Sequence, residues 1–501
     1  GWKHCKRAYS EESIGGIMII RWICEKCGKK WIYPVEKCVY CKGPIIKQKG
    51  TRIKVVGITK VNIPSPMHPI TPYNIVLLED EFGNRLPKKT MKDYKIGDSY
   101  VEQKARTKDA VAVARIKYDI YEAIKDTIGL LDGIKLSPED KILIKPSIIA
   151  PAYPYQTVNT NPDFLDALLK VLFDYGIRKE NIIMAEQALI GSDSIDAASK
   201  AGIIETCKKN SVEFLDISKG PFESIESDGY KFNIFRYALD RKIINAPIMK
   251  TNFQLGISGA VENLSRLADE ETQRRMYFDS IDATLPKLAK AVHDVFTVAD
   301  ATNGMQGQGP LSLGEPAFLN LVFAGKNAAL LDIAFCEAAM LDIPDYVKNS
   351  GSMPVKNIEF VGSEIDALKY PIKRPIISDT PHPDIKVIDG KACPACLNLM
   401  HNLTSKLVGL RGDEINIVIG SQINESMLGN KERVIAVGDC AIKSLEELKI
   451  NITAKIAENI DEVEQIALLQ KLLTTKGTPK ITPVDKVRSK MKKLLSKVIS
   501  Q

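Results

Sequence analysis

The chain has 501 residues, of which 45% are hydrophobic and 26% charged, and a formal net charge of +7. This length predicts two to four domains, because a single hydrophobic core stops growing at roughly 250–300 residues. No apolar run reaches the roughly 18 residues of a membrane span and the first residues lack the order of a secretory signal, so we expect a cytoplasmic protein with no membrane partner.

The first module is predicted to bind zinc. After a segment at 1–20 that we expect to be helical, four cysteines follow the pattern C-x2-C-x10-C-x2-C: Cys24, Cys27, Cys38 and Cys41. Two such knuckles place four thiolates tetrahedrally around one ion, and occupation of all four positions makes the site structural. Ten cysteines in a chain expected to be cytosolic favour metal ligation over disulfides.

Short strand-like segments at 51–63, 73–86 and 96–101 then predict a small barrel of the OB type, which gives a module at 21–104. Residues 21–101, with the four cysteines, Pro34 and an I-G-D at 96–98, resemble the rubredoxin-like zinc ribbons joined to an OB-fold, the family called domain of unknown function thirty-five. The resemblance implies association with acyl-CoA enzymes and a part in binding CoA or docking a partner enzyme. An OB-fold alone also allows nucleic acid, but the strands show little of the aromatic and basic interleaving that base stacking needs, so nucleic acid is unlikely as a partner.

From 108 to 380 apolar strands alternate with amphipathic helices, which predicts an α/β domain with a mostly parallel sheet covered on both faces. Sites in such sheets lie outside the carboxyl ends of the strands. The candidate catalytic residues there are Lys145, Lys250 and Asn252, because two lysines that end two strands can meet an anion from two sides. The glycines of the segment 304–309 are candidates for holding a phosphate or carboxylate with their N–H groups, and a mere turn is the alternative: Gly304, Gly307 and Gly309.

Residues 110–344 resemble a second family, domain of unknown function three-hundred-sixty-two, through K-I-L-I-K-P-S, I-M-K-T-N and A-D-A-T-N-G-M-Q-G-Q-G-P. The resemblance implies iron–sulfur ligands in or beside the domain, with no established reaction. Three residues depart from the family pattern, Ser147, Asn252 and Glu262, where Asn, His and Lys are usual. No role in proton transfer is therefore carried over from the family.

A cysteine-containing α/β segment is expected at 384–448 and a helical basic tail at 449–501. K-A-C-P-A-C places Cys393 and Cys396 at a helix start, where the helix dipole favours thiolates, and Cys440 follows a later strand. Three thiolates without a fourth protein ligand favour a [4Fe–4S] cluster. A redox disulfide, a zinc site completed by His401 and buried cysteines without any ligand are the alternatives.

Together these features predict a multidomain protein: a zinc ribbon and an OB-like barrel, then the α/β domain, the cysteine-containing segment and the tail. The predicted function is an iron–sulfur-dependent enzyme, a lyase or an oxidoreductase, acting on a small anionic molecule such as an acyl-CoA or a carboxylate. The alternative is a non-catalytic, metal-stabilised scaffold or subunit of an acyl-CoA or redox complex.

Overall fold

The computed structural model describes residues 18–456 except 103, 132, 294, 312, 352, 376–384, 394–395, 398, 401–414 and 429–432. The N-terminal segment predicted to be helical lies outside the described residues up to 17, and its last two residues, Ile19 and Ile20, belong to a strand instead. Most of the predicted helical tail, from 457 onward, also lies outside them.

The cysteine knuckles are framed by a small antiparallel sheet with the strand order β2-β1-β3. Its strands are β1 (Ile19–Cys24), β2 (Lys30–Trp31) and β3 (Ile45–Gly50). Trp22 of β1 lies opposite Trp31 of β2, and both indoles are buried. We call residues 18–50 the ribbon.

A three-stranded antiparallel meander follows, and we keep this name for it. Its strands are β4 (Lys54–Val61), β5 (Tyr73–Glu79) and β6 (Arg85–Thr90), in the order β4-β5-β6. Alternate residues of the meander, among them Val55, Val76 and Leu78, are buried in one small core with Ile19 of the ribbon. The described strands therefore form two separate three-stranded sheets, and the OB-type barrel is not confirmed.

The largest sheet belongs to the α/β part of the chain and has the strand order β10-β9-β8-β13-β16-β18-β7-β19. Its path contains β7 (Val111–Arg115), β8 (Ile142–Pro146), β9 (Ile182–Glu186), β10 (Glu213–Asp216), β13 (Lys242–Ala246), β16 (Val295–Gly307), β18 (Leu321–Gly325) and β19 (Phe360–Gly362). All neighbours on this path are parallel except that β18 runs antiparallel to β16 and to β7. The prediction of a parallel-rich α/β sheet is confirmed.

Shorter strands attach to this part: β11 (Phe222–Ser227), β12 (Tyr230–Phe235), β14 (Ile248–Asn252), β15 (Gly256–Ser258) and β17 (Gly314–Pro316). The helices are α1 (Ile120–Leu130), α2 (Pro162–Asp174), α3 (Ser194–Lys200), α4 (Ile203–Asn210), α5 (Ala260–Asn263), α6 (Glu270–Asp279), α7 (Ile281–Ala291), α8 (Ala328–Ala339), α9 (Asp345–Asn349) and α10 (Ile365–Leu368). Apolar residues of α1 to α4 pack on one face of the sheet, and those of α5 to α8 on the other. Because both faces are covered, the central strands read as continuous apolar runs such as I-L-I in β8.

The C-terminal described part is a parallel sheet with the order β20-β21-β22-β23. It contains β20 (Ile385–Gly390), β21 (Ile415–Gly420), β22 (Val434–Val437), β23 (Ala454–Ile456) and the helix α11 (Asp439–Glu447). Phe253, just beyond β14, packs into the apolar core of this sheet with Cys396, Leu397 and Met400. In the part of the chain that the structure describes, no helix is long and apolar enough to cross a membrane.

Candidate functional site

The four cysteines of the ribbon form a group that can hold one metal ion. Their Sγ atoms all lie within 4.8 Å of one another, with 3.4 Å between Cys24 and Cys41 and 3.6 Å between Cys27 and Cys38. A tetrahedral zinc site with Zn–S bonds of about 2.3 Å separates its sulfur atoms by about 3.8 Å. The observed separations fit such an ion. A Cβ on Gly43 would lie 3.0 Å from the Cys24 sulfur, so the second knuckle requires glycine there.

The ribbon is anchored to helix α1 of the α/β part and to Tyr118, two residues before that helix. The Tyr118 hydroxyl accepts a hydrogen bond from the Ile20 N–H at 3.0 Å, and its ring meets Trp22 edge-on at 5.5 Å. The Lys47 ammonium lies 2.7 Å from the carboxylate of Glu122, a residue that is only 2% exposed. The metal group is thus held next to the core domain.

At the carboxyl edge of the large sheet, Lys145 and Glu186 form a buried ion pair. They end the parallel neighbours β8 and β9, their Nζ and Oε2 atoms are 2.5 Å apart, and both side chains are fully buried. Desolvation lowers the pKa of Lys145 and raises that of Glu186, and each charge offsets the shift of the other. Glu186 also accepts hydrogen bonds from the N–H groups of Ile148 (3.3 Å) and Gln187 (2.9 Å). This pair is therefore satisfied within the protein.

Lys250 is fully buried near that pair but has no carboxylate partner within ion-pair distance among the described residues. Its Nζ donates to the Val158 carbonyl at 2.8 Å and lies 3.4 Å from the Ser147 hydroxyl. Burial lowers the pKa of Lys250 to about 7, against the opposing attraction of Glu262. Lys250 therefore changes its protonation state close to neutral pH.

Arg266 faces the same region with an unsatisfied guanidinium. It is 6% exposed, its Nη1 is buried, and no hydrogen bond from the guanidinium is found in the described part of the chain. Glu262, four residues earlier and 7% exposed, forms no ion pair of 4.0 Å or less with it among these residues. A buried donor without a partner costs about 1–3 kcal/mol, so this guanidinium is poised for an acceptor that the described residues do not supply.

The short segment that carries Glu262 and Arg266 is fixed from two sides. Asp332 accepts hydrogen bonds from the N–H groups of Ala260 (2.6 Å) and Val261 (3.0 Å) at the start of α5. Asn263 donates from its Nδ2 to the Lys145 carbonyl at 3.1 Å, which ties α5 to β8. We call Lys145, Glu186, Lys250, Glu262 and Arg266 the carboxyl-edge cluster.

Asn252, predicted to be catalytic, is used inside the β14–β15 turn. Its Oδ1 accepts from the N–H groups of Gln254 (2.8 Å) and Leu255 (3.1 Å), and its Nδ2 donates to the Ser258 hydroxyl at 2.9 Å. Both polar atoms are thus occupied, and the structure gives its predicted catalytic role no support.

The three glycines predicted to cradle an anion are not a free loop. Gly304 and Gly307 lie within β16, and the Gly307 and Gly309 N–H groups donate to the carbonyls of Lys373 (2.8 Å) and Gly307 (2.9 Å). A Cβ on Gly309 would lie 2.2 Å from the Thr251 carbonyl oxygen, so glycine is needed there for close packing of two backbones. Anion binding by these glycines stays a prediction that this arrangement does not favour.

Of the late cysteines, Cys393 lies against helix α6. The Sγ atoms of Cys393 and Cys396 are 3.8 Å apart, and Arg274 places its Nη1 3.8 Å from the Cys393 sulfur. Cys440 is an exposed residue in the first turn of α11, beyond β22. The sulfur atoms of these three cysteines do not all lie within 4.8 Å of one another, as those of the ribbon do. Ligands of a single ion lie that close together, whereas ligands of a larger cluster need not. His401 lies outside the described residues.

Tyr277 connects these cysteines with the carboxyl-edge cluster. Burial raises the pKa of its hydroxyl, and the charges of Glu262, Arg266 and Cys393 all act on it. The cysteine pair and the buried cations therefore share one electrostatic environment.

Sequence reasoning missed Arg266, Arg274 and Tyr277. They come from a turn and a helix rather than from strand ends, so no strand-end rule points to them. One signal was available: Glu262 and Arg266 stand at i and i+4 in the otherwise uncharged stretch 260–268. Charged residues spaced in this way in a buried segment indicate a polar site inside the fold.

Comparison with known proteins supports the central part of this picture. Residues 142–337 match a family described as a domain of unknown function (DUF362). A thylakoid-associated protein of Synechocystis sp. is 21% identical over 218 residues, 42% of this chain and 66% of that protein. The chain thus spans just under two thirds of the length of this relative.

A solved structure of an Ltp2–ChsH2(DUF35) aldolase is similar to 17% of this chain and 71% of that chain, with 19% identity and a TM-score of 0.14. This score is too low to support an argument about fold. The resemblance of the N-terminal part to ribbon and OB-fold proteins is therefore not confirmed.

Proposed function

We propose that the protein is an enzyme that binds a small anionic molecule at the carboxyl-edge cluster and uses Lys250 for proton transfer. The observation that carries this proposal is the buried guanidinium of Arg266, which has no acceptor among the described residues although it lies beside another buried cation. A carboxylate or a thioester-derived oxyanion would supply that acceptor, and arginine suits it because its N–H groups form a planar fork.

Lys250 is the group suited to acid–base chemistry. A general base works best when its pKa lies near the working pH, and burial brings the pKa of Lys250 to about 7. Lys145 is paired with Glu186 at 2.5 Å, so its ammonium is already engaged, whereas Lys250 has no such partner among the described residues and is free to exchange a proton. This division of roles favours proton abstraction next to a carboxylate or an acyl group, as in a lyase.

Cys393, Cys396 and Cys440 are the residues that would hold a [4Fe–4S] cluster. Their soft thiolates fit iron and sulfur, and the short contact of Cys393 with Arg274 favours the thiolate form. Such a cluster with one iron free of protein ligands supplies a Lewis acid or an electron carrier. The chain would contribute Arg266 and Lys250 to bind and deprotonate the anion nearby.

The ribbon is proposed to bind a structural zinc ion through Cys24, Cys27, Cys38 and Cys41. With four protein ligands the ion has no open position, so its contribution is to the stability of the ribbon. The ribbon and the meander would then present a docking surface for an acyl-CoA or a partner enzyme. The predicted basic tail, outside the described residues, is a second candidate for partner docking.

A non-catalytic scaffold is the second candidate function. It is favoured by the extent of burial, since Lys145, Glu186 and Lys250 are all 0% exposed and the lysine–glutamate pair is satisfied. A scaffold would need no ligand at Arg266 and no proton transfer at Lys250.

The test combines metal content with ligand binding. Anaerobically purified protein should be brown, with absorbance near 400 nm, and Cys393→Ala or Cys440→Ala should lose iron while the zinc content is unchanged. In thermal-shift titrations with a panel of acyl-CoA thioesters and small carboxylates, the wild type should be stabilised by at least one compound. Arg266→Met should lose that stabilisation, and the exposed control Lys208→Met should keep it.

Two results would decide against the proposal. Colourless protein that contains zinc alone would remove the iron–sulfur part. A ligand response that is equal in Arg266→Met and in Lys208→Met would remove the anion site and favour the scaffold.

A further inference from the structure

A cavity of about 310 Å³ lies between the meander and the α/β part of the chain. Lys88 and Lys89 of β6 line one side, and Arg115, the last residue of β7, and Lys117 line the other. The remaining lining residues are His68, Leu86, Pro87, Ser363, Glu364, Ala367 and Leu368. We call this space the inter-sheet cavity. Strand β18 runs antiparallel to both β16 and β7, so β7 and β16 point in the same direction. Arg115, at the carboxyl end of β7, therefore places the cavity at the same carboxyl edge of the sheet as the carboxyl-edge cluster.

The carboxylates around the cavity already have partners. Glu102 pairs with Lys88 and also attracts Lys117. Glu364 accepts hydrogen bonds from the Thr90 hydroxyl at 2.6 Å and from the Met91 N–H at 2.8 Å. Those two bonds also join the meander to α10, so the walls of the cavity are fixed relative to each other.

Two cations in the lining have no carboxylate partner in the described part of the chain. The Lys89 ammonium lies over the Tyr73 ring at 4.5 Å, and no ion pair or hydrogen bond is found for the Arg115 guanidinium. Burial lowers the pKa of Lys89, and the charge of Arg115 lowers it further; burial, Lys89 and Arg115 together lower the pKa of His68. No carboxylate opposes these shifts. The two cations therefore repel each other across a half-closed space.

We propose that the inter-sheet cavity binds a phosphate-bearing ligand through Arg115 and Lys89. The guanidinium fork matches two phosphate oxygens, and an ammonium adds a compact charge beside it. The volume lies at the lower end of small-molecule sites, which suits a diphosphate group or a phosphate monoester on a small body. This site is separate from the carboxyl-edge cluster and does not depend on the function proposed for that cluster.

Isothermal titration of the full-length protein with pyrophosphate tests the proposal, and a nucleoside diphosphate serves as a second arm. Arg115→Gln and Lys89→Gln should each weaken pyrophosphate binding about tenfold, the effect of losing one charge-assisted contact. Arg115→Lys should lose less, because it keeps the charge. Lys54→Gln, an exposed position at the far end of the meander, should bind like the wild type.

The two arms also identify the source of the phosphate. Tighter binding of the nucleoside diphosphate than of pyrophosphate supports the site and assigns it to a nucleotide, whereas equal binding supports it as a site for the diphosphate group alone. The proposal is overturned if Arg115→Gln binds pyrophosphate like the wild type, or if Lys54→Gln loses as much affinity. It is overturned as well if Lys250→Met loses binding while Arg115→Gln keeps it, since the anion would then lie in the carboxyl-edge cluster.

Discussion

The ribbon brings four cysteine thiols together, and the carboxyl-edge cluster brings together buried charged side chains. Both kinds of group are costly to bury without a partner, but the two regions provide partners in different ways. In the ribbon, four sulfur atoms within 4.8 Å face one another and leave room for a single ion. In the carboxyl-edge cluster, Lys145 and Glu186 pair at 2.5 Å, whereas Arg266 and Lys250 lie beside them without a carboxylate at ion-pair distance among the described residues.

This difference separates a structural site from one that can act on a ligand. A closed ligand set stabilises the fold and has nothing left to offer another molecule. A set of buried cations, two of which have no carboxylate at ion-pair distance among the described residues, stores unfavourable energy that a bound anion would relieve.

Removing one sulfur from the ribbon should have the largest effect. Cys38→Ser should lose the bound zinc and unfold the ribbon, because structural zinc contributes about 10–16 kcal/mol of binding free energy in small zinc domains. Metal analysis and hydrogen exchange of β1 and β3 measure the two effects. Cys336→Ala, a buried cysteine of α8, is the control and should keep the zinc. Retained zinc with unchanged exchange in Cys38→Ser would show that the four-cysteine group is not a metal site.

Breaking the Lys145–Glu186 ion pair should reduce the stability of the protein by less than the loss of zinc, but still substantially. Glu186→Gln leaves the charge of Lys145 buried without its carboxylate, and the free energy of unfolding should fall by about 3–5 kcal/mol. Urea denaturation measures it, and the exposed position Glu205→Gln is the matched control. A loss below about 1 kcal/mol would mean that the pair is not charged in the folded protein.

Removing Lys250 should change the pH dependence of the free energy of unfolding. The pKa of Lys250 is about 7 in the folded protein and 10.5 in its ordinary state, so between these values the unfolded chain binds more protons. The stability of the wild type should therefore rise with pH across this window, by roughly 1.4 kcal/mol per pH unit from this group.

Lys250→Met should lack this contribution, so the free energy of unfolding of the wild type minus that of the variant should increase as the pH is raised from 7.5 to 9.5. Urea denaturation at both pH values measures that difference. If the difference does not depend on pH, Lys250 has an ordinary pKa, and the carboxyl-edge cluster is as well satisfied as the ribbon.

The smallest effect is expected where the ribbon contacts the core. Lys47→Met removes the ammonium at 2.7 Å from Glu122, but Lys49 remains at 3.4 Å, and the Lys47 side chain is 40% exposed. The free energy of unfolding should fall by no more than about 1 kcal/mol, with the zinc content unchanged. Metal analysis beside urea denaturation checks this, with Lys37→Met as the exposed control. Loss of zinc in Lys47→Met alone would show that the metal group depends on docking to the core.

The sequence predicted what depends on local spacing or on strand periodicity. The cysteine knuckles are recognisable because their ligands are close in sequence, and apolar runs such as that of β8 predicted the parallel-rich sheet. It also predicted Lys145 and Lys250 at strand ends; in the structure Lys145 is the fourth of five residues in β8, and Lys250 is the third of five in β14.

The sequence did not predict which side chains from distant parts of the chain contact one another. Nothing near Lys145 in the sequence shows that Glu186 neutralises it while Lys250 stays without a carboxylate. The glycines of 304–309 were predicted to hold an anion with their N–H groups, whereas Gly304 and Gly307 lie within β16 and Gly309, just after it, allows close approach to the Thr251 carbonyl. The strand order, rather than any motif, decides these contacts.

The position of the ribbon in the chain has a consequence for biosynthesis. Its four cysteines are complete at Cys41, but Tyr118 and Glu122, which anchor it to α1, follow about 80 residues later, several seconds at the usual rate of translation. During that interval the nascent ribbon has its own small sheet and the proposed zinc ion to rely on. The availability of zinc at the ribosome would then decide whether the later domain finds a folded surface to dock against.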